Sequence, residues 1–329
     1  MAPTLTSVSP NQGPASGGTA VTLTGSNFTG TTSVRFGTNQ AQFATISDTK
    51  ISCTAPPGSD SPAVTVTTPG GTSNGVTFTY LTSPVISSVT ANQGPTAGGN
   101  TVTVTGTNLS AATAVMVGSH SATITGNTGT QITAQAPAAS PVNVTVITAG
   151  GTSNPLPYSY VPPPTVVSVD PALGPTLGGN TVTITGSNLS FTSAVRFGSR
   201  SALGIIVVSD DQITAIAPSG SGTVSVTATT PGGTSLPTVG NPYYTYVGQP
   251  LVTGLSPDQG PAAGGNSFTI TGSNLTYTDS IRVGGILASF VTVSDTKVVA
   301  VAPGGAPGSV SVIVHSPGGT RSVSYQYAP

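Results

Sequence analysis

Residues 11–28 read Asn-Gln-Gly-Pro-Ala-Ser-Gly-Gly-Thr-Ala-Val-Thr-Leu-Thr-Gly-Ser-Asn-Phe, and close copies start at Asn92, Ala172 and Asp258. The Gly-Pro landmarks begin at Gly13, Gly94, Gly174 and Gly260, separated by 81, 80 and 86 positions. A repeat of this length divides a 329-residue chain into four small domains, each of which must bury its own core. The domains expected from the period are 1–81, 82–161, 162–247 and 248–329.

The order of signals is the same in every repeat. In the first, a short apolar segment at 5–8 leads through a Pro-containing turn into the Gly-Pro-x-x-Gly-Gly loop. Ala20-Val21-Thr22-Leu23-Thr24 follows, and its alternation puts Val21 and Leu23 on one face of a strand. Further strands are expected at 33–37, 42–46, 50–55, 63–68 and 75–80. A Pro-Gly-Gly-Thr turn at 69–72 joins the last two. Val, Ile, Leu and Ala separated by Thr and Ser, with 43 Gly and 29 Pro, is strand composition. Short strands between frequent turns, without helical periodicity, predict an all-β chain of four tandem immunoglobulin-like β-sandwich domains. The chain has no Trp and one Cys, so the usual inter-sheet disulfide and its Trp are absent. The first core then rests on Val21, Leu23, Val34, Phe36, Ile51, Val64, Val66 and Phe78.

Charge is sparse: seven Lys plus Arg against eight acidic residues, all Asp, for a net charge of −1. No basic stripe is available to neutralise phosphates, so nucleic acid is not an expected partner. No segment approaches the ~18 apolar residues of a membrane span, so membrane insertion is not expected either. A net charge this close to zero does little to oppose self-association. Cys53 occupies the place held by Ala134, Ala215 and Ala300 in the other copies, which marks a small buried strand residue. Met1-Ala2-Pro3 leads into the first repeat with no leader pattern.

The full pattern is P-x-x-G-P-x-x-G-G-T-x-V-T-x-T-G-x-N-F, then V-x-F-G, I-x-C/A-x-A-P, V-x-V-x-T-P-G-G-T-S and a closing F-x-Y. It resembles the IPT/TIG family (immunoglobulin-like, plexin, transcription factor), in its bacterial surface, secreted or phage-associated type, over essentially the whole chain. The second copy departs most, with Ala149-Gly150-Gly151 and with Met116 where the others carry Arg. The resemblance implies non-enzymatic modules at an extracellular or cell-surface location. Neither catalytic residues nor cofactor or metal ligands are implied.

Closing Tyr80, Tyr160 and Tyr246 each precede the next repeat's Gly-Pro by 14 positions, while loops inside the repeats vary, as in the third-repeat insertion at 236–244. Joints as short and stiff as Val161-Pro162-Pro163-Pro164 predict an elongated rod, at about 40 Å per domain if a strand of a dozen residues spans its height. The Gly-Pro-x-x-Gly-Gly loop is then a candidate joint surface, unpartnered in the first domain at Gly13, Pro14, Gly17 and Gly18. With Ala328 and Pro329 just after the last strand, these residues are candidates for contact with a second copy stacked end to end, an arrangement that generates open filaments.

Other residue clusters compete with structural readings. Tyr243 and Tyr244 beside the third-repeat insertion are candidates for stacking on a sugar ring or anchoring a protein partner. His120 and His315 are far apart in sequence and no carboxylate recurs with them, so no catalytic set is assembled. Asp48, Asp210 and Asp295 recur at one turn. Calcium is the rival to a turn role, but Gly129 stands in their place in the second repeat and the oxygen count is low. Asn27, Asn108, Asn188, Asn274 and Asn143 match the N-glycosylation acceptor, yet the first four also suit a left-handed turn with the next apolar side chain in the core. Arg35, Arg196 and Arg282 read as solvated strand residues rather than a binding row. These features favour a structural or adhesive rod, spacer or filament subunit whose partner is a protein. A carbohydrate-binding protein using Tyr243 and Tyr244 is the alternative.

Overall fold

The structure, a computed structural model, describes residues 1–139, 142–236 and 242–329. The chain forms two compact units, Met1–Val161 and Pro162–Pro329, each holding two repeats. No helix occurs among the described residues.

In the first repeat, Thr4–Ser9, Ala20–Ser26, Lys50–Thr54 and Gln42–Ser47 form one antiparallel sheet in that order. Val76–Thr77, Ala63–Thr68, Ser33–Phe36 and Asn39–Gln40 form the second. Val21 lies opposite Cys53 and Leu23 opposite Ile51, so the alternation points these side chains inward against the facing sheet. Every core residue expected from that alternation is buried in a single cluster, and Cys53 is among them. Its thiol is pushed up to about 11 by desolvation, as suits a packing residue rather than a nucleophile. The other three repeats each carry their own core cluster. In the second and fourth, His120–Asn127 and Ile286–Ser294 pair with one sheet and then the other, joining the two layers at a corner.

The opening segment differs from the sequence expectation. It is two strands, broken at Pro10, and the Gly-Pro that reads as a loop ends the second of them. Thr4–Ser9 pairs with Ala20–Ser26, after which Gln12–Pro14 leaves that sheet and runs parallel to the closing segment Thr79–Leu81, Gly13 opposite Tyr80. Proline lacks the N–H a ladder needs, so Pro10 ends one pairing and the chain is free to change partner. The same parallel pairing sets Gly94 opposite Tyr160, Gly174 opposite Tyr246 and Gly260 opposite Tyr327. Gly13 is required by crowding: a Cβ there would lie 2.2 Å from Thr19 Oγ1 and 3.1 Å from the Phe78 ring.

The polar motifs of the repeat are devices of this fold. Asn27, Asn108, Asn188 and Asn274 have φ of 57°, 59°, 57° and 58°, while Phe28, Leu109, Leu189 and Leu275 behind them are buried. Asp48 accepts hydrogen bonds from the Asn27 and Thr29 backbone and the Thr29 hydroxyl, and these hold its carboxyl below the usual range, the Thr29 hydroxyl contributing most. Asp210 with Ser190 and Asp295 with Thr276 repeat the arrangement. Arg35, Arg196 and Arg282 each donate to a carbonyl three residues on, Thr38, Ser199 and Gly285, bracing the tight hairpin they precede.

Tyr244 is a correction. It is fully buried, edge-to-face with Phe197 and Tyr246, and its hydroxyl donates to Asn180 Oδ1 at 2.7 Å. It occupies the place of Phe78, Tyr158 and Tyr325 in the closing Phe/Tyr-x-Tyr, so it belongs to the repeat and not to the insertion. In the second and fourth repeats the amide is the donor, Asn100 Nδ2 to the Tyr158 hydroxyl at 2.9 Å and Asn266 Nδ2 to the Tyr325 hydroxyl at 2.7 Å. In the first repeat, where Phe78 has no hydroxyl, the facing residue is Thr19. The two positions change together because a phenol set in the core needs a hydrogen-bond partner, which the half-buried amide supplies.

Tyr244→Phe and Asn180→Thr are each expected to destabilise the third repeat by about 1 kcal/mol. The double variant, which reproduces the Thr19–Phe78 pair, should lose less than the two singles together. Urea unfolding of the four proteins measures this coupling, and strictly additive losses would show the two side chains to be independent.

Candidate functional site

The ends of the repeats, where one domain meets the next, carry the features that distinguish this chain from isolated sandwiches. The Gly-Pro-x-x-Gly-Gly loop is packed on its own domain. Gly17 N donates to Pro14 O, Gly18 N to Ala55 O and Gly58 N to Ala15 O, and a Cβ on Gly17 would lie 2.6 Å from Pro56 backbone. Tyr80 Oη donates to Pro56 O at 2.6 Å from the other side. Gly13 and Gly17 are therefore interior, Pro14 is half-buried and Gly18 is exposed.

Parallel pairing with the closing strand also settles which end the loop occupies. It lies at the pole from which the chain leaves the domain, so within each unit the loop of the first repeat faces the second. Within the first unit, Pro14 Cβ is 3.9 Å from the place a Cβ would take on Gly151, in the turn of the second repeat. Within the second unit, the segment Asp170 to Pro175 and the turn residues His315, Ser316 and Pro317 line the two sides of a cavity of about 550 Å³. The expectation that the first domain's loop lacks a partner in the chain is thus reversed: Pro14 meets the second repeat. In the fourth repeat the same loop is tied to the closing strand by the pairing of Gly260 and Pro261 with Tyr327 and Ala328. The sequence reading misplaced it because the constant spacing from Tyr80 to Gly94 spans the joint, whereas the pairing of Gly13 with Tyr80 spans the domain.

Three consecutive linker residues are held at the joint within each unit. In the first unit, Leu81 O accepts from Ala15 N at 3.0 Å. Thr82 O lies so close to Gly150 that a Cβ there would sit 2.2 Å from it. Ser83 donates its hydroxyl to Gly150 O at 2.9 Å, and its own carbonyl accepts from Asn108 Nδ2 at 3.1 Å. The second unit repeats the scheme. Val247 O accepts from Thr176 N at 3.1 Å, Gly248 O abuts Gly318, and Gln249 O accepts from Asn274 Nδ2 at 3.0 Å. Gln249 Nε2 also reaches Thr320 O at 2.7 Å. The amide nitrogens of Asn27 and Asn188 bond Ala2 O and Pro163 O likewise, so in four of the five glycosylation-type motifs that nitrogen is already engaged. Asn143 lies exposed on Val142–Thr148.

The aromatic site contracts to one residue. Tyr243 is 52% exposed at the start of Tyr243–Val247, while Tyr244 is turned inward as described above. The rest of the insertion, residues 237–241, lies outside the described residues. His315 Nδ1 is 2.6 Å from Asp279 Oδ1, and both side chains are about half exposed at the edge of the cavity in the second unit. His120 lies exposed at the start of its strand, beside the Ser119 hydroxyl. Among the described residues, no three His, Cys, Asp or Glu side chains gather as a metal site would require.

The IPT/TIG domain model matches residues 3–80, 84–160, 164–246 and 250–328. Fibrocystin-L of Mus musculus is 27% identical over 288 residues, and that of Homo sapiens 25% over 288; each alignment covers 82% of this chain. The chain spans 7% of the length of these relatives. Among solved structures, the Plexin A4 extracellular region aligns with 97% of this chain and 30% of its own at 19% identity, with a TM-score of 0.37. With four matched segments that together take in nearly every residue, the chain belongs to the IPT/TIG domain family.

Proposed function

We propose that the chain is a non-enzymatic structural or adhesive spacer, exposed outside the cell, that holds its repeats in an elongated rod and presents their loops to a protein partner. The observation that carries this reading is the linker held residue by residue at Leu81, Thr82 and Ser83 and again at Val247, Gly248 and Gln249. A tether that allowed free domain motion would have no use for a glycine shaped to the second linker carbonyl of each joint. End-to-end association extends the same scheme to a second copy.

Small-angle scattering tests the reading. Wild type should show a maximum dimension of about 160 Å, four sandwiches at roughly 40 Å each. Gly150→Val and Gly318→Val should keep the strand circular-dichroism spectrum and yield a broader, more flexible profile. A compact wild type, or variants with unchanged profiles, would contradict it.

Carbohydrate binding is the second reading, favoured only by the exposed Tyr243 ring. It requires that the purified chain bind glycans on an array and that Tyr243→Ala remove that binding.

A further inference from the structure

The four repeats act as internal controls for one another, and one strand stands out when they are compared. In the first repeat Gln42–Ser47 lies at the free edge of its sheet, and in the third Leu203–Ser209 does the same. The place opposite Ser52, Thr133, Thr214 and Val299 is filled by Ala44, Gly126, Ile206 and Val291 in turn. The fold therefore accepts a small residue there. Yet Leu203, Ile206 and Val208 in the third repeat are all more than half exposed, as are Leu287, Val291 and Val293 in the fourth. Neighbouring strands follow the same division: Thr54 and Gln135 of the first two repeats become Ile216 and Val301 in the last two.

Exposed edges of sheets are normally blunted by Lys, Pro or charge, because their unpaired backbone groups recruit other strands. Leu203–Ser209 contains neither charge nor Pro. Its only blunting devices are register shifts at Leu203/Ile206 and Val207/Ser209, which also turn three consecutive residues, Ile206, Val207 and Val208, toward solvent. Charge is placed at the two ends instead. Arg200 precedes the strand and Asp211 follows it, both exposed, Arg200 also reaching Ser219 Oγ. This pattern is self-complementary. If two such strands lie antiparallel about a two-fold axis near Ile206, the Arg200 end of each copy meets the Asp211 end of the other, and the apolar middles cover each other.

We infer that the third repeat carries a lateral self-association edge: Leu203–Ser209 of one molecule docks antiparallel on the same strand of a second copy, with two Arg200–Asp211 contacts flanking an apolar centre. This contact is isologous, so it closes as a dimer, and it stands independently of end-to-end stacking.

Sedimentation velocity over a concentration series tests it with the full chain. Wild type should show a reversible monomer–dimer equilibrium. Ile206→Lys, and Ile206→Ala which copies Ala44 of the first repeat, should raise the dissociation constant at least about tenfold. Arg200→Asp and Asp211→Arg should each weaken the dimer, and their combination should restore it, an outcome that mere loss of folding cannot produce. A wild type that stays monomeric throughout, a dimer insensitive to Ile206 but lost in Val291→Lys, or a double variant no better than the singles would each overturn the proposal.

Discussion

The parallel pairing of the Gly-Pro strand with the closing strand is the contact on which the rest of the architecture depends. It ties the start of each repeat to its end, closes the second sheet, and forces Gly13 and its equivalents because the neighbouring Thr or Asn and the Phe or Tyr ring leave no room for a side chain. It also carries the Gly-Pro-x-x-Gly-Gly loop to the pole where the chain exits. The backbone N–H just after that Pro then captures the first linker carbonyl. A motif that in sequence looks like an entry loop is thus, in space, part of the exit.

At the other pole, the following repeat completes the hold. Its left-handed Asn donates to the third linker carbonyl, and the first Gly of its Gly-Gly turn admits the second. Both groups also serve their own domain, since the residue after the Asn plugs the core and the turn closes a hairpin. Orienting a neighbour therefore demands no residues beyond those the sandwich already uses. That economy fits a chain with few charges, in which hydroxyls, amides and backbone groups must provide the specificity that ion pairs provide elsewhere.

Much of this was legible in the sequence. The alternation of Val21 and Leu23 with threonines fixes the buried face, and fourfold repetition separates structural residues from individual ones. Asp48, Asn27 and Arg35 were correctly expected as turn and strand-face residues, because isolated polar groups at turns find backbone partners nearby. Tyr244 was misread because the insertion before it obscured its alignment with Phe78, although Asn180, replaced by Thr19 in the first repeat, carried the signal. The polarity of the Gly-Pro loop was not legible, since no local pattern reveals a pairing between the two ends of a domain. Nor does periodicity say whether an apolar edge such as Leu203–Ser209 is covered.

The central claim is that a linker held at three successive residues makes neighbouring repeats move as one body. Double electron–electron resonance between spin labels at Thr38→Cys and Ser119→Cys, one in each repeat of the first unit, tests it most directly. Cys53→Ala removes the native thiol, a residue choice the other repeats already make. The account predicts a single narrow distance distribution that is unchanged by salt. A broad or multimodal distribution in the otherwise native chain would contradict it.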